Sequence, residues 1–375
     1  MSRSWVEELS TDPHPALREL RGVSPVARID ELGAWMVTSH GLCMDVMRDF
    51  ETYTVDDPRF STQQVIGPSM LSLDGGEHRR HRDPFLPPFG AARIREIEDR
   101  AREQARRLVA AIHEHGSADL RAMLAAPLAL NMMSDLLDLD GVRPEDILGW
   151  YHDIVEAVEM VTVGGEVPEA GARAFTALGA AVGSSTEGSR LLAPIAGDGS
   201  LTAGEIVSNV AVLLFGGIVT TESSMAIAFR YLFDDPDLRR RLESNHSLVP
   251  RFVEETLRLE PSATVVDRYA TRDVLIAGSA IGRGDLVRVS LSAANRDPDV
   301  FPAPDEIDLT RANLRQSLTF ARGPHACLGI HLARLETRVA VEAVLDALTG
   351  WEAGSLDPIE GLVFRAPATV RVSKA

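Results

Sequence analysis

Cysteine and aromatic residues are scarce in this chain. Cys43 and Cys327 are the only cysteines among 375 residues, which excludes a disulfide framework and suits a reducing cytoplasm. Aromatic residues make up 5% of the chain and hydrophobic residues 45%, so its large core must be mainly aliphatic. Cys43 stands between Leu42 and Met44, and we interpret it as a small core residue.

Long apolar runs and the motifs of electron-carrying cofactors are also missing. The N-terminal residues contain no apolar run of the kind found in signal peptides or membrane anchors. The longest apolar run, residues 210–219, is too short to span a bilayer. No Gly-x-Gly-x-x-Gly motif or cysteine cluster is present that would bind a flavin or an iron–sulfur centre. We therefore expect a soluble, cytoplasmic protein that carries neither of those cofactors.

Basic residues are outnumbered, and the formal net charge is −17. This charge argues against nucleic acid as a general partner. One stretch reverses the balance, because residues 79–107 contain nine arginines and five acidic residues. The stretch is either a solvated helix face with ion pairs along it or a docking surface for an acidic protein.

The apolar periodicity predicts many helices and a few short strands. Residues 27–37 alternate around Leu32-Gly33 and predict a hairpin. Helices are predicted at 91–115, at 118–138, from Pro144 until Gly164-Gly165, and from Thr202 onward. Strands are predicted at 274–276, 286–289 and 368–372. Since no repeat or Gly/Ser linker divides the chain, we expect a single domain over residues 1–375, mainly α with small peripheral sheets.

A glycine-punctuated loop near the C-terminus carries the second cysteine. Residues 317–329 read Ser-Leu-Thr-Phe-Ala-Arg-Gly-Pro-His-Ala-Cys-Leu-Gly. Helical periodicity follows Cys327 and places its thiol in a first helical turn, where backbone N–H groups and the helix dipole favour the anion. Such a thiol can be a metal ligand, a Cys–His nucleophile or a buried structural cysteine. A zinc site would use His325, Cys327 and His331.

The second unusual segment is a long apolar helix that Thr202 and Glu205 begin with a capping box. Apolar residues then occupy every face, which predicts a helix that is buried all round. Gly216 and Gly217 precede a polar run at residues 220–224, although each mid-helix glycine costs about 1 kcal/mol relative to alanine. Either close helix packing or a small molecule beside a threonine hydroxyl explains these residues.

The cysteine loop resembles the haem-binding loop of the cytochrome P450 family. The matching positions, at the family's spacing, are Phe320, Gly323, His325, Cys327 and Gly329. Ala321 stands where the family usually has a second glycine. The resemblance implies haem b as the cofactor, Cys327 as the thiolate that binds its iron, and a fold that holds haem between the central helix and this loop.

The central helix resembles the family's oxygen-binding helix over residues 216–221. The resemblance implies that Thr220 hydrogen-bonds dioxygen and passes protons to it, with catalytic roles also for Gly217 and Thr221. The family's acidic residue is Val219 here. Glu222 lies about 200° further around the helix than Thr220 and is a poor substitute. We therefore expect proton delivery through Thr220 and ordered water, or through a polar group on the substrate.

Other matches supply a structural pair and the ligands of the haem propionates. Glu255 and Arg258 resemble the family's buried Glu-x-x-Arg pair, and Glu306 stands where a third, basic partner is usual. Propionates need cationic donors. The resemblance implies that these are His78, Arg82, Arg268 and His325. It extends over nearly the whole chain, whereas the zinc and nucleophile interpretations explain no other segment.

The resemblance also implies a substrate and an electron donor. The pocket would be lined by Phe215, Gly216, Val219, Thr264, Val265, Val266 and Phe364, so we expect a small, largely hydrophobic substrate. We expect hydroxylation by O2, with electrons from a separate ferredoxin that docks near the stretch from Arg79 to Arg107 and near Arg322. The alternatives are a peroxygenase that uses H2O2, which Val219 favours, and a non-catalytic haem protein that only binds its ligand.

Overall fold

Helices dominate the structure, a computed structural model that describes residues 4–139, 141–162 and 165–374, without the side chains of residues 159 and 162. The helices are α1 Trp5–Thr11, α2 Pro13–Val23, α3 His40–Arg48, α4 Ser61–Ile66, α5 Gly75–Arg82, α6 Leu86–Phe89, α7 Ala91–Glu96, α8 Glu98–His115, α9 Ala126–Leu137, α10 Pro144–Thr162, α11 Glu169–Ser185, α12 Leu192–Asp198, α13 Ala203–Gly217, α14 Val219–Asp234, α15 Pro236–Ser244, α16 Val249–Leu259, α17 Leu291–Ala294 and α18 Ile330–Ala347. A π-helical turn, Arg121–Ala125, leads into α9.

The strands are short and form small sheets. They are β1 Val26–Ile29, β2 Ala34–Val37, β3 Tyr53–Thr54, β4 Ser117–Asp119, β5 Val265–Ala270, β6 Val274–Ile276, β7 Ser279–Ile281, β8 Leu286–Ser290, β9 Trp351–Leu356, β10 Ile359–Glu360, β11 Ala366–Pro367 and β12 Val370–Lys374. The predicted class, mainly α with small peripheral sheets, is confirmed.

The described chain divides into two compact units. The first unit contains residues 4–53, 97–128 and 220–374, and the second contains residues 54–96 and the described part of 129–219. In the second unit, α10 packs against α4 and α11, and α13 packs against α10, α11 and α12. Helices α14 to α18 and most strands belong to the first unit.

The largest sheet supports the cysteine loop from within the first unit. β1 and β2 form an antiparallel hairpin, β2 pairs with β8 in parallel, and β5 pairs with β8 antiparallel. One aliphatic cluster packs this sheet against α3, and Leu318 joins it from the cysteine loop. Cys43 is fully buried in the same cluster, which confirms it as a core residue. The loop is therefore anchored by apolar burial at its first turn.

Most predicted elements are present, with changed boundaries. The hairpin at 27–37 is confirmed, whereas the helix predicted at 91–115 is interrupted at Ile97. The helix predicted at 118–138 begins instead with β4 and the π-helical turn. The break predicted at Gly164-Gly165 falls partly outside the described residues. Strand β5 was not predicted, because charged Asp267 and Arg268 obscure its apolar pattern.

The central helix begins as predicted and then bends. Both reciprocal hydrogen bonds of the Thr202–Glu205 capping box are present. The bend falls at Ile218, between α13 and α14, directly after the two glycines. In the described residues, the segment Ala203–Asp234 is long and apolar enough to cross a membrane, but 67% of its apolar window is buried within the protein, as in a core helix.

Candidate functional site

The cysteine loop is closed by two backbone hydrogen bonds in the first unit. The N–H of Cys327 donates to the carbonyl of Phe320 at 2.8 Å, and that of Ala326 donates to Gly323 at 3.1 Å. Helix α18 starts at Ile330 with Gly329 as its N-cap, so Cys327 lies in the turn before the helix and not in its first turn as predicted. The Cys327 side chain is exposed and accessible to a ligand.

Asn295, which the sequence did not single out, holds the start of this loop. It is fully buried, and its Oδ1 accepts from the N–H of Leu318 at 2.6 Å. Its amide donates to the Thr319 hydroxyl at 2.9 Å, and that hydroxyl donates to the carbonyl of Leu257 at 2.8 Å. A buried amide that satisfies these groups fixes the loop to the end of α16.

Gly323 is required by a close approach of two backbones. Its φ is +78°, and a Cβ at this position would lie 2.5 Å from the carbonyl oxygen of Met47 in α3. Ala321 also has a positive φ, of 53°, which explains why glycine is usual there in the family and why a small residue is tolerated. The glycine spacing of the motif therefore reflects the path of the loop over α3.

Replacing Gly323 with alanine is expected to destabilise the fold by about 2–4 kcal/mol, since backbone strain adds to overpacking against Met47. Gly350→Ala is the matched control, because Gly350 has a φ of +77° and a Cβ there would meet no atom within 4 Å. We expect the control to lose about 1–2 kcal/mol, from strain alone. Chemical unfolding measures both, and equal losses would contradict the role of the close approach.

Basic side chains occur in the cysteine loop and elsewhere in the first unit. Arg268 is 4% exposed and donates to the carbonyl of Asp267 at 2.8 Å, and His325 is half-buried within the loop itself. Arg334 lies 5.0 Å over the ring of Phe320 and pairs with Glu254 at 2.6 Å. Of these side chains, Arg334 packs directly on the loop, and its charge is balanced by Glu254.

A groove beside the loop adds further positive charge. His40, Met44, Arg48, Arg315, Gln316 and Arg322 line it. Arg322 donates to the carbonyls of Arg315 and Ser317 at 2.6 and 2.9 Å. Burial lowers the pKa of the Arg322 guanidinium, and the charges of Arg334 and Arg48 lower it further.

Glu255 and Arg258 form a fully buried ion pair beneath the loop. Arg258 Nε and Nη2 donate to the two carboxylate oxygens of Glu255 at 2.8 and 3.0 Å, and both side chains are 0% exposed. The sequence has Glu306 at the position where a third, basic partner of this pair is usual. That partner is Arg311 instead, whose Nε donates to Glu255 at 2.9 Å. Arg258 also donates to the carbonyl of Asn295 at 3.0 Å, which links the pair to the cysteine loop.

Hydroxyl groups line one face of α14 in the first unit. Ser224 donates to the carbonyl of Thr220 at 2.7 Å and lies 3.4 Å from the hydroxyl of Ser262. Glu222, in contrast, accepts from Arg121 of the π-helical turn at 2.7 Å. Glu222 is therefore engaged in an ion pair on another side of the helix.

The first-unit residues predicted to line the pocket lie on two adjoining segments. Thr264 is 4% exposed and its hydroxyl donates to the carbonyl of Leu362 at 2.7 Å, next to half-buried Phe364. Val265 and Val266 are consecutive in β5 and point to opposite faces of the sheet. Val266 packs on the cluster beneath the cysteine loop, whereas Val265 faces a small cavity lined by Leu9, Leu17 and Leu362.

The remaining predicted residues belong to the second unit. His78 is 3% exposed and shares one face of α5 with half-buried Arg82, four residues later. A Cβ on Gly217 would lie 1.9 Å from Met133 Cε, the end of a flexible side chain that would have to shift to make room. A Cβ on Gly216 would meet no atom within 4 Å, and Phe215 and Val219 beside it are half-buried.

Comparison with known proteins identifies the family of this chain. A family model described as cytochrome P450 matches residues 190–349. Mycinamicin IV hydroxylase/epoxidase of Micromonospora griseorubida is 32% identical over 94% of each chain, and nocardicin C N-oxygenase of Nocardia uniformis is 32% identical over 94% of this chain and 96% of its own. The versatile cytochrome P450 enzyme CYP109B1 of Bacillus subtilis has 25% identity and a TM-score of 0.86 over 97% of this chain and 100% of its own. The chain belongs to the cytochrome P450 family.

As a P450, this protein is an oxidoreductase that incorporates oxygen from O2, and its cofactor is haem b. The described residues fit that group. They contain no cluster of three or more His, Cys, Asp or Glu side chains that could hold a metal ion, which excludes zinc at His325, Cys327 and His331. One accessible thiol suits an iron whose four nitrogen ligands a porphyrin would supply, since such an iron would need a single side-chain ligand here.

Proposed function

We propose that this P450 inserts one oxygen atom into a small, largely hydrophobic molecule, with Cys327 as the haem-iron ligand and a separate ferredoxin as electron donor. The observation that carries the proposal is the closed, glycine-dependent loop that presents an exposed Cys327 thiol. Bound haem supplies the oxygen chemistry through its thiolate-ligated iron. The activities in the names of two relatives, hydroxylation, epoxidation and N-oxygenation, are consistent with this reaction class.

Several assignments complete the proposal. Arg268 and His325 in the first unit, and His78 and Arg82 in the second, are the cationic donors for the haem propionates. The protein acts in the cytoplasm, with residues 1–375 as one P450 domain, and relatives align with 94% of the chain. Phe215, Gly216 and Val219 keep the pocket-lining roles that the motif implies.

The oxidant is tested by comparing two reaction mixtures. The purified holoenzyme, given a small molecule that shifts its spectrum, is supplied either with ferredoxin, reductase, NADH and O2, or with H2O2 alone. We expect product mainly from the first mixture. Product from H2O2 alone would instead support the peroxygenase, which the replacement of the family's acid by Val219 favours.

The proposed pocket is apolar and is shaped from two segments of the first unit. Val266 and Phe364 contribute apolar surface, and the Thr264 hydroxyl is already engaged with the carbonyl of Leu362. A wall without unengaged polar groups favours substrates that bind by shape and burial. We therefore propose a largely hydrophobic substrate whose orientation depends on fit.

Proton supply is proposed to run through the hydroxyl of Thr220. Glu222 is held by Arg121, and Val219 has no proton to give, so neither can replace the family's acid. Ser224 and Ser262 lie one turn away, with their hydroxyl groups 3.4 Å apart. These hydroxyls can exchange protons with ordered water and pass them toward Thr220.

Thr220→Ala is expected to lower product formed per NADH by about tenfold or more, because a positioned proton donor contributes about 10²–10⁴ in rate. The electrons should appear as hydrogen peroxide instead. Thr220→Ser keeps the hydroxyl and should retain most product formation. Product and peroxide are quantified together in one assay, and an unchanged ratio in Thr220→Ala would refute this role.

The docking surface for ferredoxin is proposed on exposed arginines of the first unit. Several arginines of the stretch 79–107 are engaged: Arg80 with Glu77 and Glu205, Arg93 with Glu96, and Arg102 with Glu98. Arg106 and Arg107 on α8 are exposed and form no ion pair within the described chain. Together with Arg48 and Arg315 of the groove beside the cysteine loop, they offer charge to an acidic partner.

Reversing the charge of Arg106 and Arg107 to glutamate is expected to raise the KM for ferredoxin roughly tenfold at low salt, because steering by opposite charges is lost. Salt should then affect turnover less than in the wild type. The matched control reverses Arg240 and Arg241, an exposed pair on α15. If the two double variants changed the KM for ferredoxin and the salt dependence of turnover equally, a specific docking site on α8 would be excluded.

A further inference from the structure

A buried guanidinium holds the C-terminal turn, residues 361–365, to the end of α1. Arg365 is 2% exposed. It donates to four backbone carbonyls, those of Ser10 at 3.0 Å, Thr11 at 3.3 Å, Gly361 at 3.3 Å and Ile359. The N–H of Gly361 also donates to the carbonyl of Ser10, at 2.7 Å. The turn is thus fixed from behind by one planar side chain that satisfies several carbonyls at once.

The front of the same turn is bonded to the segment that precedes β5. The N–H of Arg365 donates to the carbonyl of Ser262 at 2.9 Å, and the N–H of Thr264 donates to that of Val363 at 2.9 Å. An isolated β-bridge pairs Ala263 with Phe364. Because of these bonds, Thr264 and Phe364 keep a fixed position relative to each other.

The conformation of the turn depends on a glycine. Gly361 has a φ of +127°, and a Cβ there would lie 1.9 Å from the carbonyl oxygen of Phe364. The chain therefore folds tightly back on itself before Phe364. Tight folding leaves the backbone of Phe364 little freedom once the ends of the turn are fixed.

A buried carboxylate stands behind Arg365. Glu260 is 4% exposed, and its Oε2 lies 3.5 Å from Arg365 Nε. Its Oε1 accepts from Arg296 at 2.9 Å and lies 2.5 Å from His14 Nε2. Burial raises the pKa of Glu260, but the hydrogen bond from His14 and the charges of His14, Arg296 and Arg365 outweigh burial, so its pKa ends below the ordinary value. Glu260 is therefore charged at neutral pH and holds Arg365 in place.

We propose that Arg365, supported by Glu260, is a positioning residue that determines substrate specificity by setting where Phe364 stands. The inference rests on the proposed function, in which Phe364 and Thr264 line the substrate pocket. Neither Arg365 nor Glu260 contacts the substrate. A pocket surface that is already rigid before binding favours ligands that fit it, because less conformational entropy of the protein is lost on binding.

The test measures binding of two nitrogen ligands of different size to the ferric holoenzyme by their spectral shifts. Imidazole is small, whereas the phenyl group of 4-phenylimidazole has to fit against the apolar surface of the pocket, to which Phe364 contributes. In Arg365→Lys, which keeps the charge but loses the planar fork, we expect 4-phenylimidazole to bind about fivefold or more weakly, and imidazole to stay within about twofold. Glu260→Gln should also weaken 4-phenylimidazole more than imidazole, but to a smaller extent. If Arg365→Lys does not fold, the result for Glu260→Gln tests the inference.

Arg239→Lys is the matched control. Arg239 is another buried arginine, and it donates to the carbonyls of Trp351 and Leu348 in a different turn. We expect it to leave the ratio of the two affinities unchanged. The inference is overturned if Arg365→Lys and Glu260→Gln bind 4-phenylimidazole as the wild type does, or if all variants weaken both ligands equally. Absence of the thiolate-type absorbance from the reduced, carbon monoxide-treated wild-type protein would instead refute the haem-thiolate function, and this inference with it.

Discussion

Cys327→Ser should remove the thiolate-type absorbance of the reduced, carbon monoxide-treated protein and reduce product formation to background. Serine has nearly the same size, but its hydroxyl stays protonated at neutral pH and is a poor ligand for haem iron. Because the Cys327 side chain is exposed in the absence of haem, the free energy of unfolding of the apoprotein should change by less than about 0.5 kcal/mol. The expected result is thus a folded protein without the thiolate signature.

Cys43→Ala is the matched control for this substitution. Cys43 is fully buried, and burial raises the pKa of its thiol, with Asp297 adding to the effect. It therefore stays a neutral core side chain that cannot bind iron as a thiolate. We expect this variant to keep the absorbance while losing some stability through a small cavity. If Cys43→Ala lost the signature and Cys327→Ser kept it, the assignment of the ligand would be wrong.

Glu255→Ala is expected to destabilise the protein by about 3–5 kcal/mol, because it leaves buried positive charge without a counter-charge. Arg258 and Arg311 both donate to this carboxylate, and the N–H of Asp308 donates to it at 2.8 Å. Arg258 in turn donates to the carbonyl of Asn295, whose amide orients the cysteine loop. We therefore expect haem retention to fall together with stability, as chemical unfolding and the absorbance per protein would show.

The neighbouring residue provides a control within one helix. Glu254 pairs with Arg334 at 2.6 Å, but both side chains are partly exposed, at 24% and 33%. Glu254→Ala should cost less than about 1 kcal/mol, since water screens exposed pairs. Arg311→Ala should cost less than Glu255→Ala, because Arg258 still balances the carboxylate, but more than Glu254→Ala, because Arg311 is 4% exposed and also donates to the carbonyls of Pro302 and Ala303. A loss in Glu255→Ala no larger than in Glu254→Ala would contradict the importance of the buried network.

Local sequence was most informative where function requires a fixed spacing along the chain. The spacing of Phe320, Gly323 and Cys327 identified the loop. This spacing is fixed because a hydrogen bond joins Phe320 to Cys327 and the backbone of α3 passes close to Gly323. The capping box at Thr202 and Glu205 was predicted for the same reason, since its partners are three residues apart. Interactions of this kind leave a readable pattern.

Residues that act through distant contacts left no such pattern. Arg311 replaces the expected third partner from a position five residues beyond Glu306, and it meets Glu255 only because the chain returns there. Asn295 reaches the cysteine loop from α17, 23 residues away. Val265 and Val266 are consecutive in β5 and face opposite sides of the sheet, and their place in one pocket stays a prediction.

The sequence by itself determined the family, the cofactor and the cysteine that we propose as its ligand, because these depend on residue types at short, fixed intervals. Only the tertiary structure decided which arginine completes the buried network and which side chain holds the C-terminal turn. Arg365 shows the reason most clearly, since its partners Ser10 and Thr11 lie at the other end of the chain. Contacts across such separations arise when packing brings segments together, and no periodicity along the chain encodes them.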